Sequence, residues 1–212
     1  KRMYTYRKEI LSNGLRVIYI EMPHIHSVVM SAYIGVGSRY EEEKKLGISH
    51  FLEHMLFRGT NRFKNSFELF QAIDTIGGDI DAYTSPEYSA AIIQVHNKHI
   101  ESGIRILGDI LMGGNFRPDD IETERRIIQE EMKQFVDVKG DYVCIDDMSF
   151  SLMWKEGSTE PPLFGDEKTI AALHAEDLNT HYKKFFVPEN MVLCISGNFK
   201  KDMVSRYVNE IF

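Results

Sequence analysis

The pattern of apolar and polar positions divides the chain into short elements with clear punctuation. Two apolar runs flank Ser12-Asn13-Gly14, and Asn-Gly is a strong tight-turn signal, so Glu9 to Glu21 reads as a hairpin. Ser27 to Val36 is apolar nearly throughout and predicts a buried third strand, broken at Gly35-Val36-Gly37-Ser38. Helical spacing takes over from Gly47 to Phe57. Asn65-Ser66 caps a second helix, which ends at Gly77-Gly78. Asp79 to Thr84 and Glu87 to Val95 read as strands around Ser85-Pro86. Helices then dominate: Lys98 to Met112, Pro118 to Val136, Tyr142 to Trp154, Glu167 to Leu173 and Ala175 to Phe185. A strand from Met191 to Ser196 stops at Gly197-Asn198, and a last helix begins at Lys200.

Strands and helices mix without regular β-α alternation, and several strands are hairpin-linked. This predicts an α+β fold: a mostly antiparallel, mixed sheet with helices packed on it. With no linker and no low-complexity tract, residues 1–212 read as one domain, long enough for a sizeable core.

Composition narrows the function classes. The net charge of −7 and the lack of any basic run argue against a nucleic-acid partner. The longest apolar runs fall well short of a membrane span, so no membrane partner is expected. Cys144 and Cys194 are far apart with apolar neighbours and read as buried free thiols. Lys1-Arg2-Met3-Tyr4 has none of the features of a signal peptide, which gives a cytoplasmic expectation. A chain that opens without methionine leaves room for a segment upstream.

The chemistry concentrates in His50-Phe51-Leu52-Glu53-His54. At 100° per residue, His50, Glu53, His54 and Phe57 share one helix face, while Ile48, Phe51, Leu52, Met55 and Leu56 share the other. One side therefore faces a core and the other presents two imidazoles and a carboxylate. Histidines at i and i+4 can reach a single zinc at about 2.0–2.1 Å. Glu53 sits beside such a metal without ligating it, placed to take a proton from bound water. The competing reading is a surface helix that happens to carry two histidines, and a third ligand decides between them.

The helix at 118–136 offers that ligand. Glu131 shares a face with Glu124, Ile127, Ile128 and Phe135, whereas Glu130 falls on the solvated stripe with Thr123, Arg126, Lys133, Gln134 and Asp137. A carboxylate among apolar residues needs a partner, because burying an unpaired charge is costly. A metal is one such partner. Glu131 is the candidate ligand, with Glu130 the alternative, and Glu124 suits a supporting position two turns earlier.

H-x-x-E-H reverses the zincin motif and marks the inverzincins. On these residues the chain resembles the pitrilysin family, which includes insulin-degrading enzyme and the mitochondrial processing peptidases. The resemblance extends over Leu11 to Val17, Gly35 to Glu41, His54 to Thr60, Pro188 to Leu193 and Ser196 to Asn198. It implies a zinc metalloendopeptidase with one Zn2+ per chain. Glu122 to Glu131 looks like the family's E-x-E-R-x-x-x-x-x-E segment, whose last glutamate ligates the metal while the one seven residues earlier supports the site. By position these are Glu131 and Glu124, with Glu53 and Glu124 as the catalytic carboxylates.

Gly77 to Ser85 resembles a family stretch usually read G-G-x-x-N-A-[FY]-T, an edge strand to which a peptide substrate adds. The resemblance thus implies substrate contacts at Asp81, Ala82, Tyr83 and Thr84, with Tyr83 and Phe57 lining the pocket just past the scissile bond. Asp81 departs from the pattern, where asparagine is usual. It loses an amide donor and adds a negative charge that could favour basic substrate side chains. The family also implies a partner: a second pitrilysin-like domain in cis or in trans, or a homo-oligomer, closing over the zinc. The chain would then be the N-terminal catalytic half. A non-catalytic peptide-binding or assembly subunit is the alternative. His24, His26, His96, His99, His174 and His181 lack such spacing and read as structural or exposed.

Overall fold

The computed structural model describes residues 4–153 and 163–212. Trp154, the expected last residue of one helix, lies outside the described residues. The chain opens with the hairpin β1 (Thr5–Ile10) and β2 (Arg16–Glu21), paired antiparallel from Thr5↔Glu21 to Ile10↔Arg16. Gly14 takes the left-handed conformation in the turn, with φ 85°. Then come β3 (Ser27–Ile34), α1 (Ile48–Met55), α2 (Ser66–Thr75), β4 (Asp79–Thr84) and β5 (Ser89–His96). Helices follow: α3 (Ile100–Met112), α4 (Pro118–Met132), α5 (Ile145–Met153), α6 (Glu167–Ala172) and α7 (Ala175–Phe185). β6 (Met191–Gly197) and α8 (Lys201–Ile211) complete the order.

The local chemistry explains the helix starts. Asn65 Oδ1 accepts the Glu68 N–H at 3.0 Å, satisfying one of the unpaired donors of α2. Pro118 opens α4, where a missing N–H costs nothing, and Asp119 and Asp120 sit in its positively polarised first turn.

Among the described residues, six strands form one mixed sheet in the order β1-β2-β6-β3-β5-β4. β2 and β6 run parallel and every other pair is antiparallel. The fold is α+β, as the element pattern predicts. The returning strand β6 inserts between β2 and β3, so the two central strands come from opposite ends of the chain. Alternate residues of these strands (Val28, Met30, Ala32, Ile34, Met191, Leu193, Ile195) are buried and face the helices. α3 packs on β3 and β5, while α1 packs between β4, α4 and α7. The zinc-motif helix therefore lies at the β4 end of the sheet, beside a strand with one unpaired edge. Cys144 is buried and Cys194 half-buried, and both are free thiols. Among the described residues no helix is long and apolar enough to cross a membrane.

Candidate metal centre

The first turn of α1 is fixed from two sides. Glu41 accepts the N–H of Gly47 at 2.6 Å and of Ser49 at 2.8 Å, placing a carboxylate on the exposed amides of the helix N-terminus. Burial pushes the Glu41 carboxyl up to about 7, against the pull of those two hydrogen bonds. Ser49 Oγ lies 3.2 Å from Nε2 of buried His181, a structural role consistent with the reading of that histidine. Gly47 enters the helix at φ 85°, and a Cβ there would meet the Phe164 carbonyl oxygen at 2.5 Å, so only glycine fits. Ile48, Phe51, Leu52 and Met55 are buried on the core side.

The opposite side is not open to solvent at its start. His50 is buried, held by packing against the Phe164 ring at 4.6 Å, and its Nδ1 has no hydrogen-bond partner among the described residues. Burial, with a smaller contribution from His54, lowers its pKa to about 3, so the imidazole is neutral and its ring lone pair is free to ligate. His50 Nε2 lies 3.9 Å from Glu131 Oε2, and His54 Nε2 lies 3.4 Å from the same oxygen. Ligand atoms of His50, His54 and Glu131 all fall within 4.8 Å of one another. Tetrahedral bonds of about 2.0–2.2 Å place ligand atoms about 3.3–3.6 Å apart, so this donor set fits zinc with small adjustments and leaves one position open. Glu130 points away and pairs with Lys133 in solvent.

The electrostatics point the same way. Burial pulls the pKa of His54 down, but its hydrogen bond to Glu124 and the charges of Glu124, Glu131 and Glu53 outweigh this and raise it. Carboxylates that draw a proton onto His54 also draw a cation to its place. Glu124 is buried and accepts from His54 Nδ1 at 2.9 Å. Its other oxygen accepts from Arg58 Nε. Burial raises its pKa, yet the His54 and Arg58 hydrogen bonds and charges hold the carboxyl below the ordinary range. Glu124 thereby fixes the ring orientation that turns Nε2 to the centre. We expect Glu124→Gln to weaken zinc binding about 10–100-fold in competition with a chelator. A change smaller than about threefold would show that His54 needs no such support.

Glu53 is half-buried and accepts from Thr84 Oγ1 at 2.6 Å. Burial raises its pKa, the Thr84 hydrogen bond and His54 oppose the rise, and Glu131 and Asp81 add to it. Beside Glu53 and His54 opens a cavity of about 480 Å³, walled by Phe57, Phe70, Ile80 and Ala82. Phe57 stacks on Phe70 with centroids 5.9 Å apart. Alternation along β4 sends Ile80, Ala82 and Thr84 toward the helices and Tyr83 to the opposite face, while exposed Asp81, bonded to the Ala82 N–H, also lines the cavity. Tyr83 therefore does not join Phe57 in one pocket: its ring packs edge-on against Tyr88 at 5.9 Å.

A model of the insulinase family, peptidase family M16, matches residues 16–167. The chain belongs to the M16 family. Residues 172–212 match the model described as the M16 inactive domain. An uncharacterised zinc protease of Bacillus subtilis, YmxG, is 31% identical over 192 residues, which are 91% of this chain and 46% of that protein. An uncharacterised zinc protease of Streptomyces coelicolor is 31% identical over 208 residues, 98% of this chain and 45% of its own. A solved protease from Helicobacter pylori shares the fold with a TM-score of 0.89 at 20% identity, covering 100% of this chain and 50% of that one. Pitrilysin follows at 0.84 and 20% identity, with 100% of this chain on 23% of its own. The chain spans just under half the length of the curated relatives it matches.

Within this M16 chain, three side chains near the centre make contacts that their motifs do not disclose. Arg58 lies in the turn just past the end of α1, four residues after His54, and its guanidinium donates to Glu124. The edge-strand pattern gives Thr84 only as a substrate contact, but its hydroxyl reaches Glu53. Glu41 reads as part of the loop before the helix, and its carboxylate caps that helix at Gly47 and Ser49.

Proposed function

We propose that this chain is the metal-binding, catalytic half of a zinc endopeptidase. The observation that carries the reading is the convergence of His50, His54 and Glu131 from two helices beside a Glu53 held by the edge strand. His50, His54 and Glu131 hold the ion, Glu124 orients His54, and Arg58 anchors Glu124. A zinc ion held by these three ligands would supply Lewis acidity, acidifying the attacking water and polarising the scissile carbonyl. Glu53 takes the proton from the attacking water onto the carboxylate that Thr84 holds, then delivers it to the leaving amine nitrogen. Main-chain groups of Ile80, Ala82 and Thr84 on the free edge of β4 receive an extended peptide as an added strand. One of its side chains enters the cavity beside Phe57, and its neighbours lie along Asp81 and Tyr83.

The second half of the protein, in cis or in a partner chain, supplies enclosure. Without it, bulk water surrounds the centre and weakens electrostatic stabilisation of the developing oxyanion. The match of residues 172–212 to an inactive-domain model favours one other reading, a non-catalytic peptide-binding subunit. The two are separated by assaying the full-length protein and residues 1–212 on a quenched peptide at equal zinc occupancy. We expect hydrolysis by the full-length protein and a catalytic efficiency at least about 10²-fold lower for the half, since positioning is what it lacks. Equal efficiencies would remove the need for a second half. A full-length, zinc-loaded protein that cleaves no peptide would leave the binding-subunit reading.

A further inference from the structure

The unpaired edge of β4 is not bare. β5 pairs with β3 through Ser89, Ala91, Ile93 and Val95, so it turns the main-chain groups of Ala90, Ile92 and Gln94 to β4. Their partners are Tyr83, Asp81 and Asp79, which leaves Ile80, Ala82 and Thr84 facing outward. One of these outward donors is already taken: Asp81 Oδ1 accepts the Ala82 N–H at 2.9 Å. A peptide that adds to this edge needs that N–H for its own carbonyl and must displace the carboxylate.

The displaced carboxylate then lies beside the peptide. In an added strand, the residue opposite Ala82 points to the helices and the cavity, and its neighbours point to the face that carries Asp81 and Tyr83. Asp81 is exposed at the rim of the cavity, and Tyr83 follows it two residues along the strand. A carboxylate that has lost its N–H and is partly covered by peptide needs a new partner. A cationic side chain supplies one, with the Tyr83 ring within reach for a cation–π contact.

We propose that Asp81 is a specificity-determining residue: it holds neutral peptides back by capping Ala82 and admits those with lysine or arginine next to the residue that fills the Phe57–Phe70 cavity. The inference rests on the peptidase reading for the nature of the ligand, an extended peptide.

The test is read by binding, so it stands apart from turnover. Zinc-loaded full-length protein carrying Glu53→Gln is titrated with two labelled peptides that differ only by lysine or glutamine beside a phenylalanine. We expect the lysine peptide to bind about five-fold tighter, the upper range for a partly exposed ion pair, with the ratio shrinking as salt rises. Asp81→Asn keeps an oxygen for Ala82 but loses the charge, so the ratio falls close to one. Asp81→Ala also removes the cap, so it binds the glutamine peptide several-fold tighter than Asp81→Asn does. A lysine preference that survives Asp81→Asn overturns the selection. Equal glutamine-peptide affinities in the Asn and Ala variants overturn the cap. Binding of neither peptide to any of these proteins overturns this inference and leaves the peptidase reading to the hydrolysis assay, whereas binding without turnover in the wild type defeats only the peptidase reading.

Discussion

Glu53→Gln in the full-length protein is expected to keep its zinc and to lose peptide hydrolysis by about 10²–10⁴-fold, the contribution of a positioned general base. The glutamine keeps the size of the side chain and an oxygen for the Thr84 hydroxyl, so the neighbouring histidines need not move. What disappears is the proton acceptor. The pH profile carries a second signature. Glu53 works only when ionised, so activity rises with pH through its pKa. Burial lifts that pKa above the ordinary carboxylate range, the Thr84 hydrogen bond opposes the lift, and a bound dication opposes it further. The informative quantity is therefore a displacement between variants. Thr84→Val removes a hydrogen bond that favours the charged form, so the acid limb should move to higher pH. A limb that stays in place or moves down would dissociate Thr84 from the base. Near wild-type turnover in Glu53→Gln would end the assignment of Glu53.

Most of this arrangement is legible in the sequence, for physical reasons that differ between elements. α7 runs from Ala175 to Phe185 as its period predicts, started by the His174–Asp177 cap and followed by Pro188, and β4 runs from Asp79 to Thr84 between Gly78 and Pro86. The sheet order is different. The parallel pairing of β2 with β6 joins residues nearly the whole chain apart, and no local signal encodes which strands become neighbours. In the site, the i, i+4 histidines and the split between Glu130 and Glu131 follow from helical geometry. The burial of His50 does not: it depends on the ring of Phe164, more than a hundred residues along the chain. Strand alternation alone separates Tyr83 from Ala82 and Thr84, and it overrides the shared pocket with Phe57 that the family pattern implied. Arg125 makes the same point inside α4. Helical spacing leaves it unremarkable, yet it is buried and donates to the Ile170 and Leu173 carbonyls, tying α4 to the end of α6.

Zinc content is where the ligand assignment meets its hardest test. The full-length protein should hold one zinc per chain, and His50→Ala, His54→Ala and Glu131→Gln should each lower its affinity by about 10²–10³-fold or more. That scale follows from sharing about 10–16 kcal/mol of zinc binding among four ligands, or roughly 3 kcal/mol each. Glu130→Gln supplies the control, because among the described residues its carboxylate pairs with Lys133 at 2.6 Å in solvent, with side chains 71% and 67% exposed. Such a pair contributes roughly 0–1 kcal/mol and nothing to the metal. Metal content after gel filtration and competition with a chromogenic chelator measure both effects. Thermal unfolding gives an independent readout, since an ion that binds only the folded chain stabilises it in proportion to its excess over Kd. Chelator should lower Tm in the wild type and in Glu130→Gln, and scarcely at all in the three ligand variants. The opposite pattern, with Glu130→Gln stripped of zinc and Glu131→Gln still loaded, would mean that α4 is rotated by one residue, near 100°, from the placement described. That rotation would also carry Glu124 away from His54 and Arg58, so the zinc titration tests the whole α1–α4 contact and not one side chain.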